Sequence, residues 1–161
     1  MKIGIIIICY NNENDIDIGQ CAKYLNELKD IEICLVNNDS KDNTYNLLEE
    51  LKEHCVNVSI LDIKRFKSDN SAVRAGARFM SNQFSLKYLG YVNSNSLFKY
   101  HSIVLLFKAI RDNQVDILNY NQSFLNKKGI RLTMFQSLFP VMDYLEKMNI
   151  ENLYTSLNHN Q

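Results

Sequence analysis

Hydrophobic positions along the chain fall into blocks whose period changes. Lys2 to Cys9 reads K-I-G-I-I-I-I-C, a nearly continuous apolar run rich in β-branched side chains. A strand buried on both faces has this pattern, because it has no solvent side on which polar residues could alternate. Ile31 to Val36 is a second such run, Val56 to Ile63 a third with more alternation, and Leu86 to Val92 a fourth. Between them the period lengthens. Ile18, Cys21, Ala22, Leu25 and Leu28 recur at helical spacing behind Asp15, a residue able to cap a helix start. Leu47, Leu48, Leu51 and Cys55 do the same behind Ser40 and Asp42. Further helices are predicted over 70–82 and 102–112, a fifth strand over Val115 to Asn119, and a helix over Val141 to Met148 on the spacing of Val141, Leu145 and Met148. Strands alternating with helices of about ten residues predict an α/β fold. Its three layers are α/β/α around a mostly parallel central sheet.

In such sheets ligands bind beyond the C-terminal strand ends. The residues leaving each strand are therefore where function is sought. Strand one leaves through Tyr10-Asn11-Asn12-Glu13, strand two through Asn37-Asn38-Asp39-Ser40-Lys41-Asp42, and strand four through Asn93-Ser94-Asn95-Ser96. The chain holds 21 Asn, and these exits collect many of them. Asn, Asp and Ser favour turns on their own account. Three such exits on one edge of one sheet point beyond turn chemistry, to a surface that donates and accepts hydrogen bonds.

Composition narrows the classes. The chain has 161 residues, enough for one domain with its own core, and 46% of them are apolar. Eighteen basic residues balance 18 acidic ones, which argues against general affinity for nucleic acid or anionic membrane. No apolar run approaches the roughly 20 residues of a membrane span, and no signal-peptide pattern opens the chain. Cys9, Cys21, Cys34 and Cys55 lack zinc-ligand spacing and read as reduced core thiols. A cytoplasmic protein is expected. No G-x-G-x-x-G follows strand one and no P-loop is present, while His54, His101 and His159 read as surface or cap residues.

Four blocks carry a resemblance. They are Cys9-Tyr10-Asn11-Asn12-Glu13; Leu35-Val36-Asn37-Asn38-Asp39-Ser40-Lys41-Asp42-Asn43-Thr44; Ser71-Ala72-Val73-Arg74-Ala75-Gly76; and Tyr91-Val92-Asn93-Ser94-Asn95. In order and spacing these resemble the T-Y-N-E, V-D-D-G-S-x-D-x-T, A-x-R-x-G and D-x-D blocks of family 2 glycosyltransferases. The resemblance spans residues 2 to about 120. It implies a GT-A fold, of the nucleotide-diphospho-sugar transferase type, and a nucleotide-diphosphate sugar lying across the strand ends. By position Tyr10 and Asn12 would flank its base, and Glu13 and Asp39 would bind the nucleotide sugar from the adjoining turns. Asn37 would meet the base's polar edge, Arg74 would meet a phosphate or ribose, and Asn93 and Asn95 would stand beside the diphosphate.

The departures from the family bear on catalysis. Its D-x-D falls on Asn93 and Asn95, whose amides keep oxygen but lose both negative charges. Hard divalent cations want anionic oxygen ligands. No tightly bound cofactor is expected, and Mg2+ or Mn2+ only weakly. The base-reading Asp is Asn37, which can donate or accept, so base preference stays open. Phe66-Lys67-Ser68-Asp69 replaces the usual Asn-x-Gly-x with a bulkier loop that could crowd the pocket. After Asn95 the carboxylates are Asp112, Asp116, Asp143, Glu146 and Glu151, none of them placed to act as the acceptor-side base.

The expected organisation is one truncated GT-A-like domain, with a nucleotide-sugar-binding half over 1–120 and a tail over 121–161. Two functions fit. One is a glycosyltransferase acting in glycan or polysaccharide biosynthesis. The other is a catalytically inactive donor-domain homologue that binds nucleotide or a partner. A flavodoxin-like binding module is a third reading. Residues 122–161 hold much apolar surface, which suggests a homodimer through this quarter, or a tail that folds back and completes the core.

Overall fold

The structure, a computed structural model, describes residues 2–93, 102–119 and 138–149. Among them five strands form one parallel sheet: β1 (Lys2–Cys9), β2 (Ile31–Asn38), β3 (Val58–Ile63), β4 (Leu86–Val92) and β5 (Phe139–Pro140). Their order is β3-β2-β1-β4-β5. The long apolar runs take the centre, where burial on two faces is complete. Ile5, Ile6 and Ile7 of β1 and Ile33, Cys34, Leu35 and Val36 of β2 are each 0% exposed.

Helices close both faces. Ile3, Ile5, Ile7 and Cys9 join Ile31, Ile33 and Leu35 in a core covered by α1 (Ile18–Asn26), α2 (Thr44–Glu53), α4 (Ile103–Asp112) and the helical residues 141–149. Ile6, Ile8, Cys34 and Val36 point the other way, onto α3 (Asp69–Gln83) through Ala72, Val73, Ala77 and Met80. This helix lies close to the sheet because Gly76 has no side chain. A Cβ there would stand 2.7 Å from Ile6 Cγ2 and 3.3 Å from Val36 Cγ2. The glycine of the A-x-R-x-G-like block thus has a packing role.

Several boundaries differ from expectation. Residues 115–119, expected as the fifth strand, are part of a helical stretch over 114–119, with the Ile117 N–H on the Asn113 carbonyl at 3.0 Å. Ile117 continues the buried stripe of Ile103, Leu106, Phe107 and Ile110, while Val115 stands exposed. An apolar run this short does not separate period 2 from period 3.6, and tertiary packing decides it. The fifth strand is instead Phe139–Pro140, at the sheet's edge, where proline is tolerated. The cap of α1 is Asp17, whose Oδ1 accepts from Gln20 N–H at 2.9 Å; Asp15 ends a 3-10 turn over Glu13–Asp15. Residue Asn43 is the N-cap of α2 and makes no side-chain cap, although Asp42 takes the Thr44 N–H from one position earlier. β2 runs on through Asn37 and Asn38, and β3 begins only at Val58, after a fully exposed Val56. The expected helix over 141–148 is present, and it buries Val141, Met142 and Leu145 against the sheet. That part of the C-terminal quarter completes the core. The rest of 122–161, on which the homodimer expectation leans, lies outside the described residues, as do Asn95, His101 and Glu151.

Two measurements check this packing. Gly76→Val is expected to destabilise the fold by about 1–3 kcal/mol in urea unfolding, because the added methyls overpack against Ile6 and Val36. The four cysteines are buried free thiols, and burial pushes Cys9, Cys21 and Cys34 each up to about 12. At pH 8 their thiolate is roughly three orders of magnitude scarcer than that of an exposed cysteine. Ellman's reagent at pH 8 is therefore expected to leave these three unlabelled in the native protein and to label all four in urea.

Candidate functional site

Because every strand pairs in parallel, β1 to β4 all end on one edge, and the polar exits meet there. The first two turn sharply. Asn11 has φ 51° and Asp39 has φ 57°, the left-handed region that Asn and Asp enter more readily than other non-glycine residues. Asp39 stands where the family block has glycine, and its backbone shows why glycine suits that position.

The two turns are laced together. Asn11 N–H donates to Ser40 Oγ at 3.0 Å, and Lys41 N–H donates back to Asn11 Oδ1 at 2.8 Å. Asn12 N–H donates to Thr44 Oγ1 at 2.7 Å, and that hydroxyl donates onward to Asp42 Oδ1. Oδ2 of Asp42 takes the Glu13 N–H at 3.2 Å, while Glu13 Oε2 takes the Asn43 N–H at 3.0 Å. Burial pushes the Asp42 carboxyl up, but donation from Thr44 and Glu13 outweighs it and holds the group below its ordinary value. The conspicuous Ser40, Asp42 and Thr44 of the sequence block are thus ties between loops. Asn12 is used in the same way, its Oδ1 accepting Tyr10 N–H at 2.7 Å.

A second group lies where β2 meets β3. Asn37 and Asp62 are register partners, and Asn37 Nδ2 donates to Asp62 Oδ1 at 2.9 Å. Lys64 Nζ pairs with the other oxygen of Asp62. Burial raises the Asp62 pKa, yet the bonds from Lys64 and Asn37 win and lower it overall. Asn38 clamps the backbone of Lys67 from both ends, its Oδ1 accepting the N–H at 3.0 Å and its Nδ2 donating to the carbonyl at 2.9 Å. Asp39 binds Lys41 Nζ at 3.0 Å and accepts Phe66 N–H at 3.2 Å; the bond from Lys41 lowers its pKa. So pinned, Phe66 lays its ring edge-on against Tyr10 with centroids 5.1 Å apart, both residues exposed. The bulky loop after β3 therefore stands at the rim of the polar edge.

Of the residues singled out from sequence, Tyr10, Asn12, Glu13, Asn37 and Asp39 share this edge. Glu13 and Asp39 are committed to loop contacts. Arg74 lies in the second turn of α3 on its exposed side, its side chain making no hydrogen bond or ion pair among the described residues. Asn93, half-buried, directly follows β4; Asn95 lies outside the described residues. Sequence reasoning passed over Asp62 and Lys64, which sit at the end of β3 just before the polar stretch Arg65 to Asn70. For a divalent cation the donor set fits poorly: Asn93 and Asn95 bring neutral amides to the D-x-D positions. Among the described residues no cluster of three or more His, Cys, Asp or Glu could hold a metal.

Asp42→Ala removes three hydrogen bonds at a half-buried position, and a loss of about 1–2 kcal/mol in urea unfolding is expected. The native pKa values of Asp42 and Asp62 are depressed, so their stabilisation is complete above the ordinary carboxylate value of 3.8. It fades as pH falls through the lowered native values. Urea midpoints taken from pH 6 to 2 should drop below pH 4, and drop less steeply in Asp42→Ala.

Comparison with known proteins adds the family. Residues 4–156 match the family described as glycosyl transferase family 2. A curated relative, the poly(ribitol-phosphate) beta-glucosyltransferase of Bacillus spizizenii, is 25% identical over 150 residues, covering 91% of this chain. The chain spans 23% of that relative's length. Two solved structures of TarS from S. aureus also match. The first, of residues 1–349, has 17% identity and TM-score 0.45, over 62% of this chain and 31% of that one. The second has 15% identity and TM-score 0.46, over 63% and 20%. With its four sequence blocks and a match from residue 4 to residue 156, the chain belongs to glycosyl transferase family 2.

Proposed function

We propose that the polar edge binds a nucleotide-diphosphate sugar, and that the chain serves as the donor-binding part of a glycosyltransferase without a tightly held divalent ion. The observation that carries this reading is the family match over residues 4–156. In the proposal the base lies at the ends of β1 and β2, against Tyr10 and near Asn37. The diphosphate lies by Asn93 and Asn95, whose amide N–H groups can donate to phosphate oxygens directly. Arg74, one helical turn into α3, supplies the cation. The relative's name describes glucosyl transfer to poly(ribitol phosphate); the acceptor class proposed for this chain is a glycan or polysaccharide. Residues 1–120 form the donor half, within a single domain over 1–161. Buried, unpaired thiols suit a reducing compartment and support a cytoplasmic location. Among the described residues no helix is long and apolar enough to cross a membrane.

The amides at 93 and 95 also favour a second reading, binding without turnover, since a metal normally offsets charge on the departing diphosphate, an effect worth several kcal/mol.

Calorimetric titration with UDP, CDP and GDP, in EDTA and in millimolar Mn2+, tests the proposal. At least one nucleotide is expected to bind, with affinities in the two buffers agreeing within tenfold. A gain of tenfold or more with Mn2+, about 1.4 kcal/mol, would overturn the metal-light reading. Failure of all three to bind would overturn the donor site. Asn93→Asp combined with Asn95→Asp should make binding Mn2+-dependent. Sugar release from the matching nucleotide sugar separates turnover from binding alone.

A further inference from the structure

The Asn37 side chain has two hydrogen-bonding ends, and the fold engages one. Nδ2 donates to Asp62 Oδ1 at 2.9 Å, while Oδ1 is buried without a hydrogen-bond partner among the described residues. The contact is set by the sheet, since Asn37 and Asp62 are opposite one another in the parallel ladder of β2 and β3. Its direction is set by charge. Asp62 is paired with Lys64 and, ionised, can only accept. The amide end that faces it must be the N–H2; reversing the amide would set two oxygens face to face. An acceptor left buried and unpaired is costly, and a donor arriving with a ligand would recover that cost. The same contact accounts for an amide at residue 37 where the family block has a carboxylate. An Asp there would lie against Asp62, and two carboxylates at that distance do not both ionise near neutral pH.

Resting on the reading of this edge as a donor site, we propose that Asp62 is a positioning residue that holds Asn37 as an acceptor only. The site therefore selects a nucleotide whose base presents a ring N–H, as uracil does at N3, over cytosine, whose N3 accepts. The ambiguity of a bare Asn in the sequence is removed by its neighbour across the ladder.

The test uses the full chain with UDP and CDP in calorimetric titration. Wild type should prefer UDP at least tenfold. In Asp62→Asn the new carbonyl faces Lys64 and the new N–H2 faces Asn37, which turns to offer Oδ1 inward and Nδ2 to the ligand. The UDP-to-CDP preference should then fall at least tenfold. Asn37→Asp combined with Asp62→Asn restores an acceptor-only group at residue 37 and should recover the preference for UDP. Equal or reversed affinities in wild type, or a ratio unmoved by Asp62→Asn in a variant that melts like wild type, would overturn the assignment and leave the donor site standing. If wild type binds neither nucleotide, the donor-site reading falls and this inference with it. Should Asp62→Asn fail to fold, nuclear Overhauser contacts in wild type decide. The Asn37 Nδ2 protons should contact the Asp62 methylene and not the base of bound UDP; contacts to the base would overturn the proposal.

Discussion

The polar edge depends on β1 and β2 having no solvent side. Their central residues are closed on one face by α1, α2 and α4 and on the other by α3, so polar groups have no place along the strands and gather at the ends. Parallel pairing then sends those ends to one edge. Stability and site are two results of one pattern. The apolar runs that hold the sheet together also decide that Asn37, Asn38 and Asp39 emerge beside Tyr10, Asn11 and Asn12.

Most of this was legible in the residues. Lys2 to Cys9 and Leu86 to Val92 match their strands end to end, the first as a buried β-branched run and the second as a largely buried run of Leu, Tyr and Val. Val115 to Asn119 misled, because three apolar residues in a stretch of five cannot show a period, and the Asn113 carbonyl takes the Ile117 N–H of a helical turn. The site was legible as a set of exits rather than as contacts. Ser40, Asp42 and Thr44 stood out in the sequence, yet only the fold shows that their oxygens go to Asn11, Asn12 and Glu13, about 30 residues away. Asp62 and Lys64 were invisible for a physical reason. Their meaning comes from the register that sets Asp62 opposite Asn37, and register is not a local property.

The replacement of carboxylates by amides unifies the chemistry of the edge. At residue 37 the amide sits beside a paired carboxylate, where a second negative charge would be unfavourable. At residues 93 and 95 neutral amides stand where the family block has carboxylates. Asp39, in a left-handed turn suited to glycine, gains a side chain that holds Phe66 at the rim. Negative charge on this edge is largely tied up: Asp39 with Lys41, Asp62 with Lys64, and Asp42 with backbone donors.

The lacing between the first two turns also bears on the order of folding. Its bonds close loops of 29 to 32 residues, so they can form only after β1 and β2 have paired and α1 has packed behind them. Bonds formed late and near solvent are the first to open under native conditions. In hydrogen exchange the amides of Asn11, Asn12, Glu13 and Lys41 would then open together, as one unit less stable than the sheet. The polar edge would breathe while the strands behind it stay shut.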